Sequence, residues 1–184
     1  MSRTIAVVAT LAALAVPSVA LAATVKGTSG DDALVGTASA DTIFGKAGDD
    51  TIDGLAGDDR LRGDRGEDTI DGLEGDDGIN GHQDDDELTG GAGDDRISGG
   101  RGDDEIDGDD GADRIRAGKG EDTVRAGEGD DHVNSRDKDA DTVDCGGGED
   151  TVLADSEDTL TNCENAKVRG PKKDRPAKAQ GPEA

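Results

Sequence analysis

Along residues 27–134 one large aliphatic residue recurs every nine positions, and most of what lies between is glycine, aspartate or another polar residue. Cutting from Gly27 gives twelve consecutive nonads without an insertion, from GTSGDDALV to AGEGDDHVN. Position 8 is Leu, Ile or Val in all twelve, from Leu34 to Val133, and position 6 is Asp in all twelve. Positions 1 and 4 are each Gly in ten of the twelve. A nine-residue period is too short for a helical repeat. Glycine at fixed places marks backbone of positive φ, and therefore turns. The remaining D-x-aliphatic-x segment, with one inward side chain, reads as a short strand. The pattern thus predicts a turn and a strand every nine residues, half a coil of a parallel β-solenoid. Beyond Asn134 the register loosens. Val143, Val152 and Leu160 follow Asp-Thr pairs at Asp141, Asp150 and Asp158, with spacings of 10, 9 and 8 from Asp131, which predicts slightly irregular last coils.

Composition pulls the other way. Only 30% of the 184 residues are hydrophobic and 1% aromatic, and the net charge is −25. Low hydrophobicity with high charge is the signature of a disordered chain. One aliphatic side chain per nine residues is a small gain against the entropy of ordering nine backbones. Something outside the sequence must complete the fold. The acidic balance argues against nucleic acid and anionic membranes as partners and favours cations.

The N-terminus differs. Arg3, the apolar run IAVVATLAALAV (5–16), Pro17 and the small residues ALA (20–22) follow the order of a secretory signal, with cleavage expected after Ala22. An uncleaved anchor is the alternative, since residues 4–23 are nearly apolar over about a bilayer's span. Cleavage removes only Arg3 among the charges and takes the net charge to −26. Export with cleavage leaves no membrane association and a secreted, extracellular protein. Cys145 and Cys163 then face an oxidising compartment, where a pair defaults to a disulfide. The expected layout is a signal at 1–22, repeats at 23–153, a capping coil at 154–168 and a disordered basic tail at 169–184.

The nonads closely resemble the G-G-x-G-x-D-x-U-x repeat of the RTX, or hemolysin-type, calcium-binding proteins, where U is a large aliphatic residue. The resemblance covers 27–134 and extends with gaps to about 160. It implies an all-β, right-handed parallel β-roll with two nonads per coil and Ca²⁺ held between turns eighteen residues apart. Calcium takes six to eight oxygens from carboxylates and carbonyls, and a glycine-rich turn can aim carbonyls inward. The implied metal residues are Asp32, Asp41, Asp50, Asp59, Asp68, Asp77, Asp86, Asp95, Asp104, Asp113, Asp122 and Asp131. Pairing runs from Asp32 with Asp50 to Asp113 with Asp131, at most ten ions in the regular part. The expected behaviour is coupled: unfolded without calcium, folded with it. Cys145 and Cys163, eighteen residues apart, are one such coil apart, within reach of a bridge that would close the end.

Departures from the pattern mark weaker copies. Position 2 is Gly only at Gly91, Gly100, Gly118 and Gly127, and position 4 is Ser39 and Asp84 in two repeats. The best-formed sites are therefore expected between about 90 and 134, with Asp84 as a candidate replacement ligand. The acidic residues at position 5 read as a solvated edge. His82 and His132 fall at different repeat positions and read as surface residues. No catalytic or phosphate-loop motif is present, and the two RGD triplets, at 62–64 and 101–103, are by-products of the repeat. Thr at position 7 only at 42, 51, 69 and 123 argues against an ice-binding array. The sequence thus points to a secreted, non-enzymatic calcium-binding protein, with a calcium-rigidified adhesin or matrix component as the alternative. One feature departs from the family, whose members typically carry a C-terminal, uncleaved export signal.

Overall fold

The computed structural model describes residues 21–169; most of the expected signal segment and the basic tail after Arg169 lie outside the described residues. Seventeen strands form two parallel sheets, with no helix among the described residues. The nine-stranded sheet stacks β1 (Thr24–Lys26), β3 (Thr42–Ala47), β5 (Arg60–Arg65), β7 (Gly78–Gln83), β9 (Arg96–Ser98), β11 (Arg114–Arg116), β13 (His132–Asn134), β15 (Thr151–Asp155) and β17 (Asn165–Arg169). The eight-stranded sheet stacks β2 (Ala33–Val35), β4 (Thr51–Asp53), β6 (Thr69–Glu74), β8 (Glu87–Ala92), β10 (Glu105–Asp110), β12 (Thr123–Arg125), β14 (Thr142–Asp144) and β16 (Thr159–Thr161). Successive strands alternate between sheets, so each coil consumes two nonads and the chain builds the β-solenoid that its periodicity predicts.

The register is eighteen residues through most of the molecule, as in Ile43↔Leu61 and Ile52↔Ile70. It widens to nineteen at Val124↔Val143 and Val133↔Val152 and narrows to seventeen at Val143↔Leu160. These are the loosened spacings of the sequence, absorbed in the turns while the aliphatic residues stay in line.

Each strand contributes one inward side chain. Val25 and the position-8 residues from Leu34 to Val133, then Val143 and Val152, form one continuous buried column between the sheets. At the C-terminal end the inner corner is also filled by Ala117, Ala126, Ser135, Cys145 and Ala154, all fully buried, where earlier coils carry glycine. Cys145 and Cys163 are bonded across one coil, with Cα atoms 5.2 Å apart. Arg136 ties the last coil further, donating to the carbonyl oxygens of Ala154 at 3.2 Å and Lys167 at 2.6 Å.

Candidate metal centre

The turns joining the strands carry the chemistry. In the ten nonads from Gly45 onward, positions 2 and 4 both have positive φ. At position 2 these include Lys46 (91°), Leu55 (78°), Asp64 (84°), Leu73 (74°), His82 (89°) and Asp109 (65°), beside the four glycines. At position 4 Asp84 takes φ 74° where the other nine are glycine. The residues replacing glycine therefore keep the same turn. In the first two nonads position 2 is Thr28 and Thr37, position 4 is Gly30 and Ser39, and none has positive φ. Branching at Cβ makes the left-handed region a rare outlier for threonine, whereas unbranched side chains enter it at about 1–2 kcal/mol. The turn type thus changes at Gly45.

That cost is measurable. Leu73 is exposed at its side chain and sits beside Gly91 on the neighbouring strand. Leu73→Gly should remove about 1–2 kcal/mol of backbone strain and return about 0.4–1 kcal/mol through the freer unfolded chain. A higher thermal midpoint of the folded protein is expected, and a lower one would show that Leu73 is not strained.

Position 6 places one carboxylate at each turn. All twelve, Asp32 through Asp131, are buried, as are Asp141 and Asp150 in the irregular coils. They are joined in ladders along the two edges of the solenoid. In each, the backbone N–H of one Asp donates to Oδ1 of the Asp one coil on: Asp50 to Asp68 at 2.8 Å, Asp86 to Asp104 at 3.0 Å, Asp104 to Asp122 at 2.9 Å. The residues expected to pair eighteen apart are therefore brought together, carboxylate to amide.

From Asp41 onward Oδ1 is satisfied, and from Asp50 onward Oδ2 is not; Asp32 keeps a buried Oδ1 without a partner. From Asp50 to Asp150 every one of these carboxylates has a buried Oδ2 with no hydrogen-bond partner. Burying an unpaired anionic oxygen is costly, and the cost repeats at each turn. From Asp50 to Asp113 the space beside it is kept open by the position-1 glycine: a Cβ on Gly54 would stand 2.7 Å from Asp59 Oδ2 and 2.8 Å from the Gly72 carbonyl oxygen of the next coil. A carboxylate oxygen and a carbonyl oxygen thus face one small cradle. Among the described residues no three His, Cys, Asp or Glu side chains converge on a point, so any cation held here draws most of its ligands from backbone carbonyls.

The first two turns differ here as well. Thr28 and Thr37 donate their backbone N–H to Asp32 Oδ2 and Asp41 Oδ2, each at 2.5 Å. Asp41 Oδ1 also accepts from Ala23 N and Thr37 Oγ1, and Asp41 retains no orphan oxygen. Lys46 Nζ, a built-in cation, bonds the Gly27 carbonyl oxygen in the same region.

Burial of the carboxylates, reinforced by neighbouring aspartates, raises their pKa against the lowering effect of the backbone N–H bond. Asp50, Asp59, Asp95, Asp122 and Asp131 are pushed up to about 6. Asp68, Asp104 and Asp113 reach about 7, and Asp86 and Asp141 about 8. Asp77 and Asp150 are raised by the same causes.

The RTX calcium-binding nonapeptide repeat matches this chain in four copies, over residues 26–61, 53–88, 80–115 and 107–137. The chain belongs to that family. Its RTX repeats cover most of the solenoid, and the calcium that RTX repeats bind between turns fits the orphaned carboxylate oxygens and glycine cradles described above. No curated protein matches the sequence.

Position 5 carries a bonding pattern of its own. Its acidic side chains are exposed, as expected of a solvated edge, but they also form a second ladder. Oδ1 of Asp76, Asp85 and Asp103 accepts the position-5 N–H of the following coil at 3.0, 2.8 and 2.8 Å. This ladder runs in the direction opposite to that of position 6. Asp84, the candidate replacement ligand, accepts from Gly66 N at 3.2 Å at an exposed site. His82 lies 4.0 Å from Asp64, and neither it nor His132 approaches the buried carboxylates closely enough to bond them.

Proposed function

We propose that this is a secreted RTX protein that folds by taking up several calcium ions, with the position-6 aspartates of facing turns as its carboxylate donors. The observation that carries the reading is the unbroken series of buried, partnerless Oδ2 atoms from Asp50 onward, those from Asp50 to Asp113 each beside a glycine cradle. Calcium supplies the positive charge and the demand for many oxygens that such a series lacks. The aspartates hold fixed charge at each turn, the position-1 glycines keep a carbonyl within reach, and the aliphatic column excludes water behind them.

Ten turns of the positive-φ type, stacked with their neighbours two nonads on, give eight facing pairs, from Asp50 with Asp68 to Asp113 with Asp131. Eight ions would bring a charge of +16 against −26. Asp32 and Asp41 stand outside this set because their turns are not of the positive-φ type and Thr28 and Thr37 donate to their Oδ2 atoms. Secretion is supported by the N-terminal signal pattern and by the Cys145–Cys163 bridge. A non-catalytic role is supported by the absence of any nucleophile–base or phosphate-loop motif.

The test is far-UV circular dichroism of residues 23–184 during a Ca²⁺ titration, with Mg²⁺ as control. The expected result is a cooperative gain of β signal in the range of about 0.1–1 mM typical of extracellular calcium modules, and none with Mg²⁺, which demands stricter octahedral geometry. A chain that stays disordered at millimolar Ca²⁺ overturns the reading.

A further inference from the structure

The two outer faces of the solenoid carry opposite charge. In each strand the residues flanking the buried aliphatic side chain point outward. On the nine-stranded sheet, from β1 to β13, these positions hold six cations, Lys26, Arg60, Arg62, Arg96, Arg114 and Arg116, and no carboxylate. On the eight-stranded sheet, from β2 to β14, they hold six carboxylates and one cation, Arg125, itself paired with Glu105 at 2.8 Å. The chain has 45 acidic and 20 basic residues, so a row of flanking positions without an acid is far from what its composition would scatter there; Asp64, farther along β5, is a carboxylate on the same sheet. Arg62 pairs with Asp64 at 2.6 Å. Arg60, Arg96, Arg114 and Arg116 form no ion pair among the described residues.

The strip has a definite shape. From β1 to β11 it crosses six strands, about 24 Å at the usual strand spacing, and it is about three residues, or 10 Å, wide. Both long edges are bounded by the acidic turns. Gly78 interrupts the arginine row and leaves a depression between Arg60 and Arg96, lined also by Phe44, Asn80, His82 and Ser98. Phe44 is the sole aromatic residue of the sequence, and Lys26 lies 5.8 Å from its ring centre.

We propose that this face binds a single extended acidic polysaccharide, of the uronic-acid class, laid along the solenoid axis. Guanidinium groups spaced by the strands recognise regularly spaced carboxylates. Amide, hydroxyl and imidazole groups in the depression match sugar hydroxyls, and the Phe44 ring offers an apolar face for a sugar ring. The width admits one polymer strand, while the acidic edges repel any broad anionic surface such as a membrane. One aromatic residue is too few for the successive base stacking of single-stranded nucleic acid. The proposal rests on the calcium reading in one respect: loading the turns neutralises the edges, so binding should strengthen with calcium.

The probe is a hyaluronan oligosaccharide long enough to span the strip, measured by calorimetry against the full protein in saturating Ca²⁺, with neutral dextran as control. Hyaluronan binding that weakens with added salt is expected, and Arg60→Glu/Arg96→Glu/Arg114→Glu should lose about tenfold or more in affinity. The milder Arg→Gln triple should lose less, and Glu87→Gln/Glu105→Gln on the opposite sheet should change affinity by no more than about twofold. Circular dichroism on each variant verifies the fold, and binding is scored in whichever condition gives the β signature. No hyaluronan binding by the folded protein overturns the proposal. So does binding untouched by the triple reversal, which would place the sugar on calcium at the turns, or equal affinity for dextran. Self-association removed by the reversal, without hyaluronan binding, would assign the face to the acidic sheet of a second copy and overturn it too. A β signal that never appears with calcium overturns the calcium reading instead.

Discussion

In a chelator at pH 8 the chain is expected to be expanded, and on acidification toward pH 5 it is expected to gain β structure with no metal present. The position-6 carboxylates are the cause. An ordinary aspartate titrates near about 3.9, whereas burial holds these at about 6 to about 8 in the folded solenoid. Between those limits the folded state binds more protons than the unfolded one, so its stability falls as pH rises. The contribution is fully present below the unfolded pKa and is lost through about pH 6–8. Ten or so groups act in the same direction, so the effect on the metal-free fold should be large. With calcium the sign reverses: protons and metal compete for the same oxygens, and the calcium midpoint should rise as pH falls from 8 to 6. Circular dichroism of the metal-free protein at dilute concentration, away from the isoelectric point near 4.1 that the sequence gives, makes the comparison. Equal disorder at both pH values, or more structure at pH 8, would contradict it.

Asp104→Ala should remove two ions from the calcium stoichiometry, while Asp103→Ala removes none. The neighbours differ in what their side chains do. Asp104 is buried, accepts the Asp86 N–H at 3.0 Å and donates its own N–H to Asp122 Oδ1 at 2.9 Å. It therefore belongs to two facing pairs, and truncation strips a carboxylate from both. It also leaves the buried Asp86 N–H without an acceptor, a cost of about 1–3 kcal/mol. Asp103 is exposed, and its loss frees one solvent-accessible bond from Glu121 N, worth about 0.5–1.5 kcal/mol. Asp104→Asn separates the two effects, since an amide oxygen can still accept from Asp86 while the charge is gone. It should lower the stoichiometry as Asp104→Ala does but retain more stability in a chelator. Calorimetric titration reads the stoichiometry directly; matching losses from Asp103→Ala and Asp104→Ala would remove the distinction between the two positions.

Much of this molecule is legible in its sequence because the repeat of the backbone and the repeat of the residues have the same length. The column from Leu34 to Val133, the buried position-6 aspartates and the disulfide across one coil all follow from counting in nines. The turn chemistry is less legible. Judged by missing glycines, Leu55, Leu73 and His82 rank with Thr28 and Thr37 as defects. The backbone separates them, since only the β-branched pair abandons the positive-φ turn, and the threonine N–H groups then take up the Oδ2 atoms of Asp32 and Asp41. The signal was branching at Cβ rather than loss of glycine. The position-5 ladder had no sequence signal, because an exposed carboxylate looks the same whether or not it accepts a backbone N–H from the next coil. The charge division between faces is written in the sequence but invisible at a nine-residue period. It emerges only when odd and even nonads are separated, which requires knowing that a coil takes two.

The ladders of aspartate along the two edges have a further consequence for the metal-free protein. At about 4.8 Å per coil, two position-6 carboxylates place roughly one ionisable group every 2.4 Å of axis, and the acids at position 5 about halve that spacing. Duplex DNA carries one charge per about 1.7 Å. Fully ionised and without metal, a solenoid would be a polyelectrolyte rod of comparable linear density, so the chain expands to lower that density and still gathers a sheath of monovalent counterions. Calcium uptake is then an exchange in which that sheath is released, and its apparent affinity is set as much by the sodium and potassium around the protein as by the geometry of any one turn.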